Sequence, residues 1–276
     1  MDPSPVPSAA PKSLAEVISH IHEGGRAIIA LSGGVDSALV ASLAFEALGT
    51  RATAVTLTGA AVAPNEVARA RRVAEAIGVD HVVLPADPLS RREYRENGSD
   101  RCYHCRSVET TVLRSFGRER SVDQYLDGVQ RDDLADDRPG LRAMDEAGFR
   151  HPLLWAGWGK SEVRAEARRR GLPNWDQPSD ACLASRVAHG EEVSAELLAR
   201  IAVAEQVLLD RGFRRVRVRV RADAARIEVD PSEVARLLSE PLASEVMREV
   251  GRAGFEAVTI DPRGYRGALA SLPVVT

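Results

Sequence analysis

A chain of 276 residues that is 44% hydrophobic and 28% charged has apolar residues enough for a sizeable core and too even a mixture for a fibrous or low-complexity protein. A net charge of −3 supplies no global basic field to draw it to nucleic acid or an anionic membrane, so any anion site has to be local. No apolar stretch approaches the length of a membrane helix, and three cysteines, an odd number, point to a reducing cytoplasm rather than a disulfide framework.

The N-terminal "MDPSPVPSAAPKS" is rich in Pro, Ser and Ala and lacks the apolar core of a signal peptide, so residues 1–13 read as a disordered leader. From there strand and helix patterns alternate. "RAIIAL" (26–31), "RATAVTL" (51–57), "DHVVLP" (80–85), "VDQYLD" (122–127) and "FRHPLL" (149–154) read as strands. Helical stretches fall at 36–48, 65–77, about 103–118 and 160–170. This βαβ rhythm predicts an α/β domain over 14–188, a doubly wound parallel sheet whose ligands sit beyond the carboxyl ends of its strands. Residues 173–192, "PNWDQPSDACLASRVAHGEE", form a long connection of the kind that is either functional or a linker between domains. Beyond it a helix (194–211), two strands joined by "ADAA", a helix (231–252) and the strand "FEAVTID" predict a smaller α+β domain over 189–276. That domain is expected to serve substrate binding or assembly into a homo-oligomer.

The most specific signal is "ALSGGVDSALV" (30–40), an apolar strand running through Ser32-Gly33-Gly34-Val35-Asp36-Ser37 directly into a helix. Paired glycines let the backbone approach an anion closely. The turn and helix amides then point at negative charge, and Ser32 and Ser37 add hydroxyl donors. Asp36 would be repelled by a bare phosphate, so its place in the loop implies a Mg²⁺ ion between carboxylate and phosphate. The alternative is a glycine turn with Ser or Asp as an ordinary helix cap. A Walker A loop is excluded, because no Gly-Lys-Ser/Thr follows.

The loop resembles the Ser-Gly-Gly-x-Asp-Ser signature of the PP-loop ATP pyrophosphatases, which implies cleavage of ATP between its α- and β-phosphates with AMP left on a substrate oxygen. "DGVQRDD" (127–133) follows the fourth strand, where that superfamily carries an Asp-Gly-Thr-Asn type segment, from which Val129 and Gln130 depart. "PLLWAGWGKSEVR" (152–164) puts Lys160 at a helix start, where relatives use a lysine on the ATP phosphates. With "DRCYHC", "DDRPGL", "WDQPSDACLASR", "VRVRVRADAARIEV" and "GYRG", residues 14–268 resemble a narrower family, the ATP-dependent sulfur transferases of lactate racemase maturation (LarE). The resemblance implies a small nucleotide carboxylate substrate, pyridinium-3,5-biscarboxylic acid mononucleotide. ATP adenylates a ring carboxylate, and a sulfur nucleophile displaces AMP to leave a thiocarboxylate. In one branch of the family the cysteine matched here by Cys182 donates its own sulfur and becomes dehydroalanine. Arg186, four residues on, is placed to favour a thiolate or to pair with a substrate phosphate.

In "RRVRVRVR", Arg215, Arg217, Arg219 and Arg221 share one face of a strand and the valines share the other. The resemblance favours Arg217 and Arg219 as contacts to the substrate's phosphate or carboxylate, against a solvated polar face. Glu228 is expected to form a cross-strand salt bridge. "RCYHCR" (101–106) holds the other two cysteines, Cys102 and Cys105. A zinc site lacks a fourth ligand, since His104 is pinned between two of them. A thioredoxin-like pair would follow the first strand. Three thiolates, Cys102, Cys105 and Cys182, suit three irons of a 4Fe–4S cluster, which would deliver sulfide or persulfide sulfur without consuming Cys182. The competing readings of the whole chain are a PP-loop tRNA thiolase and a non-catalytic nucleotide sensor.

Overall fold

The computed structural model describes residues 11–135, 139–178 and 181–266. The leader reading therefore falls mostly outside the described residues, as do parts of "DDRPGL", "WDQPSDACLASR" and "GYRG". Of the leader, Lys12 donates its backbone N–H to Trp155 O at 2.7 Å. Ser13 caps the first helix in a reciprocal box with Glu16.

The elements run α1 (Leu14–Glu23), β1 (Ala27–Ala30), α2 (Val35–Leu48), β2 (Ala52–Thr58), α3 (Pro64–Ile77), β3 (Asp80–Pro85), α4 (Arg92–Arg95), α5 (Arg101–Arg118), β4 (Gln124–Leu126), α6 (Pro139–Glu146), β5 (Phe149–Arg150), α7 (Pro152–Trp155) and α8 (Lys160–Arg169). After the long connection come α9 (Ala195–Leu209), β6 (Val216–Arg221), β7 (Ala224–Val229), α10 (Val234–Leu237), α11 (Leu242–Arg252) and β8 (Ala257–Ile260). The parallel sheet has the order β3-β2-β1-β4-β5. This is the doubly wound order, and its switch point lies between β1 and β4.

Alternation within β1 explains the two-sided core. Ala27 and Ile29 pack with α1, α2, α3 and α8 residues such as Val17, Leu39, Val73 and Val163. Ile28 faces the opposite way, onto Leu113 and Phe116 of α5 and Met144 of α6. Fully buried strands of this kind read as unbroken apolar runs, which is why "AIIA" signals a central strand.

Two expected elements are shorter than their patterns. "FRHPLL" yields only a two-residue strand, because Pro152 starts a helical turn. The helix expected at 231–252 is divided: Pro231 opens a 3₁₀ turn and Pro241 stands at the N-cap of α11, and neither proline is tolerated inside a helix.

The chain folds into two compact units. One comprises Met1–Leu57, Glu66–Pro85 and Arg106–Gln177 and carries the parallel sheet. The other comprises Thr58–Asn65, Ala86–Cys105 and Pro178–Thr276 and carries the mixed sheet β6-β7-β8. A single boundary near residue 188 does not describe this arrangement, since the segments bearing Cys102, Cys105 and Cys182 all cluster with the C-terminal sheet. The physical reason is a shared core. Ala61, Tyr94, Leu183, Ala184 and Val187 pack with Leu198, Val218 and Val220.

Candidate functional site: a phosphate loop and a cysteine–arginine cluster

In the first unit the phosphate loop leaves the carboxyl end of β1 at the switch point. Gly33 has φ +79°, and a Cβ there would lie 3.0 Å from Ala70 N and 3.2 Å from Glu66 O, so only glycine fits. Gly34 is the N-cap of α2 and supplies no side-chain cap, which leaves the first-turn amides for an anion. Ser32 and Ser37 face the same point. Their hydroxyls lie 3.1 Å apart, and Ser32 Oγ accepts from Gly34 N at 3.3 Å.

Asp36 Oδ2 accepts from Lys160 Nζ at 2.5 Å, and Lys160 starts α8 with its own N–H donating to Asp132 Oδ2 at 2.8 Å. The other oxygen, Asp36 Oδ1, is buried and has no hydrogen-bond partner. Burial raises the Asp36 carboxyl above the usual carboxylate range, and the Lys160 ammonium only partly offsets this. A hard cation carried in on phosphate oxygens suits that orphaned oxygen, so the residues present fit Mg²⁺.

The segment after β4 presses on the loop from the other side of the switch point. A Cβ at Gly128 would lie 2.6 Å from Ser37 N. Asp127 is buried; its Oδ1 accepts from Val129 N at 3.0 Å and faces His151 Nδ1 at 2.7 Å. His151 Nε2 meets Asp145 Oδ1 at 2.8 Å. Burial alone would lower the His151 pKa, but hydrogen bonds and charges from Asp127 and Asp145 raise it to about 9. Gln130 Oε1 accepts from Asp132 N at 2.9 Å, so its side chain serves its own turn. Asp127 lies in the segment singled out in the sequence, but its pairing with His151 did not stand out, because an acid–imidazole pair 24 positions apart has no local pattern.

In the second unit Cys182 precedes the 3₁₀ turn Leu183–Arg186. Arg186 is almost fully buried. It forks onto Glu205 with bonds of 2.8 and 3.0 Å, and its Nη1 donates to Ala181 O at 2.5 Å and Cys182 O at 3.0 Å. Those bonds make Arg186 the residue that fixes the turn carrying Cys182. Arg101, unremarked in the sequence, is buried as well; its Nη1 donates to Asn97 Oδ1 and, at 2.9 Å, to Ala184 O. It thereby ties the start of α5, with Cys102 and Cys105, to the same turn. Burial pushes the Cys182 thiol up. The Arg101 guanidinium opposes this, the neighbouring Cys102 adds to it, and Arg186 opposes it again.

Cys102, Cys105 and Cys182 are not in disulfides; Cys102 is exposed and the other two are half-buried. Among the described residues no three His, Cys, Asp or Glu side chains stand grouped as ligands for a metal ion. The three cysteines do lie in one unit, with Cys105 and Cys182 against the same core and Cys102 near enough to Cys182 to act on its thiol.

The middle of the arginine ladder is buried rather than solvated, Arg217 being 5% and Arg219 9% exposed, whereas Arg215 is half-buried and Arg221 exposed. Arg219 Nε donates to Glu228 Oε2 at 2.9 Å, and Arg226 Nη2 to Glu228 Oε1 at 2.8 Å. Arg219 and Arg226 stand directly opposite in the ladder, so the buried Glu228 separates two like charges that would otherwise repel. Arg217 lies over the Tyr265 ring, 5.4 Å from its centroid. The cross-strand salt bridge expected of Glu228 is present; Arg219 keeps a guanidinium donor beside the turn of Cys182, its Nη1 3.5 Å from Ser185 O, while Arg217 Nη1 donates to Val216 O at 2.7 Å.

Residues 8–125 match the NAD synthase family model. Among curated proteins, an uncharacterised protein of Synechocystis sp. is 38% identical over 87% of this chain and 90% of its own length. The tRNA-specific 2-thiouridylase of Azorhizobium caulinodans is 31% identical over 57% of this chain and 50% of its own length. The pyridinium-3,5-bisthiocarboxylic acid mononucleotide synthase of Lactiplantibacillus plantarum is 32% identical over 91% of both chains. With a phosphate loop at the switch point and end-to-end similarity of that kind, the chain belongs to the LarE family of PP-loop sulfur transferases.

Proposed function

We propose that this protein uses ATP to adenylate a carboxylate of pyridinium-3,5-biscarboxylic acid mononucleotide and replaces the adenylate with sulfur, in the reducing cytoplasm. The observation that carries the reading is Asp36: one oxygen is held by Lys160, the other is buried without a partner, and both stand at the uncapped N-terminus of α2. In the first step a carboxylate oxygen attacks the α-phosphorus of ATP and pyrophosphate leaves. Amides of the loop, the Ser32 and Ser37 hydroxyls and Lys160 take up the charge that develops on the departing phosphates. Asp36 would hold Mg²⁺, which neutralises the polyphosphate. In the second step a sulfur nucleophile adds to the acyl carbon and AMP leaves with the C–O electron pair, forming the thiocarboxylate.

Arg217 and Arg219 would bind the anionic groups of the nucleotide carboxylate, and Arg186 keeps the Cys182 turn in place. Cys102, Cys105 and Cys182 would hold a 4Fe–4S cluster by three thiolates. When bound, such a cluster supplies an open iron at which inorganic sulfide from the donor is kept for transfer. The test is pyrophosphate release with ATP and the pyridinium nucleotide, followed by mass spectrometry of product and protein. Release that depends on the nucleotide, with a product heavier by one sulfur-for-oxygen exchange, supports the reading. The similarity to a tRNA 2-thiouridylase over 57% of the chain favours tRNA as the rival acceptor, and ³⁵S appearing in tRNA instead would establish it.

A further inference from the structure

Asn174 lies in the connection after α8, outside every motif of the phosphate site, yet it reaches back to the loop. Its side chain is 4% exposed, and its Nδ2 donates to Gly33 O at 2.9 Å. The turn that carries it is anchored on both sides. Gln177 N donates to Asn174 O at 3.1 Å, and Arg164 Nη2 donates to Gln177 O at 2.7 Å. Asn174 Oδ1 is buried and has no hydrogen-bond partner.

A trans peptide holds its C=O and the following N–H on opposite sides. With the Gly33 carbonyl drawn to Asn174, the Gly34 N–H faces the other way, toward Ser32 Oγ at 3.3 Å and the Ser32–Ser37 hydroxyl pair. Between two glycines this peptide is the one in the loop freest to turn over, since neither residue has a Cβ to oppose it. Turned over, it would present a carbonyl oxygen to the phosphates in place of an amide. An amide that leaves its own oxygen buried and unmet to hold a neighbour's carbonyl makes a poor contribution to stability, which points to a role in the loop's geometry.

We propose that Asn174 is a positioning residue for the phosphate loop: it fixes the Gly33–Gly34 peptide with its N–H toward the anion. The inference rests on the reading of this loop as the ATP pyrophosphate site. Three variants separate the possibilities, with magnesium pyrophosphate and adenosine as probes in calorimetry. Asn174→Leu is close in size and removes the unmet oxygen, so the melting temperature is retained while pyrophosphate affinity falls about tenfold, the ratio of ~1.4 kcal/mol. Asn174→Asp sets a carboxylate oxygen against the Gly33 carbonyl and lowers pyrophosphate affinity further. Asn174→Gln, which keeps the donor, recovers part of the loss. Adenosine affinity, which needs no phosphate contact, is unchanged in all three.

If the Leu and Asp variants bind pyrophosphate as the wild type does, or lose both ligands equally, the positioning role is overturned. Wild-type protein that binds neither ATP nor pyrophosphate would instead overturn the reading of the loop itself.

Discussion

Titrating His151 should weaken the first unit in a defined direction and by a calculable amount. The imidazole is held between Asp127 and Asp145, and its pKa rises from 6.5 to about 9. Asp145 is 59% exposed and Asp127 only 7%, so solvent screens the outer pair and the buried one carries most of the effect. Because the folded-state value lies above the unfolded one, the folded chain binds the extra proton. The stabilisation is complete below pH 6.5 and is lost as pH rises through 9. At ~1.36 kcal/mol for each pH unit between the two values, the full contribution is about 3 kcal/mol. Urea denaturation of wild type and His151→Gln between pH 6 and 10 measures it. The wild type should be the more stable at pH 6, and the difference should shrink steadily to near zero by pH 10. A difference that stays flat, or that grows with pH, would refute the protonated Asp127–His151 pair.

Asp36→Asn should keep the fold and cut pyrophosphate release by at least about 100-fold, the scale for losing one charge-stabilising group in an active site; release at the wild-type rate would remove the loop from the mechanism. Arg217→Ala should weaken binding of the nucleotide carboxylate by about 1.5–3 kcal/mol, as for a lost charge-assisted hydrogen bond, with ATP affinity unchanged; an equal effect on both ligands would make the strand mere scaffold. Arg186→Ala strands the buried Glu205 carboxylate, so unfolding studies should show a loss of roughly 3–5 kcal/mol, and a loss under 1 kcal/mol would contradict the buried fork. Anaerobic reconstitution with iron and sulfide should yield about four irons per chain in wild type and far fewer in Cys102→Ser; equal iron contents in the two proteins would count against the three-thiolate cluster.

Much of the first unit was legible because its signals are local. A strand such as "AIIA", buried on both faces, needs only apolar residues, and Gly33 and Gly34 mark a backbone conformation closed to other side chains. The S-x-x-E box at Ser13 was equally local, and α1 could have been found from it. The arginine strand was legible as a strand but not as a buried one. Alternation of Arg and Val looks the same whether the polar face meets water or meets Glu228 and Tyr265. Arg186 shows the same limit. Its type and its place beside Cys182 suggested an anion contact, whereas Glu205, nineteen positions on, occupies its fork.

By itself the sequence determined the succession of strands, the phosphate loop and the family, since each is written in residues that are neighbours along the chain; it missed α1, α4 and α6. Only the tertiary structure decided which distant groups meet. It placed Arg101 on the turn of Cys182, Asn174 on the carbonyl of Gly33 and His151 between two acids. It also drew residues 86–105 into the unit that holds Cys182. Those pairings arise when buried polar groups must find partners and apolar side chains must share one core, and both demands are met across folded space, without regard to separation in sequence.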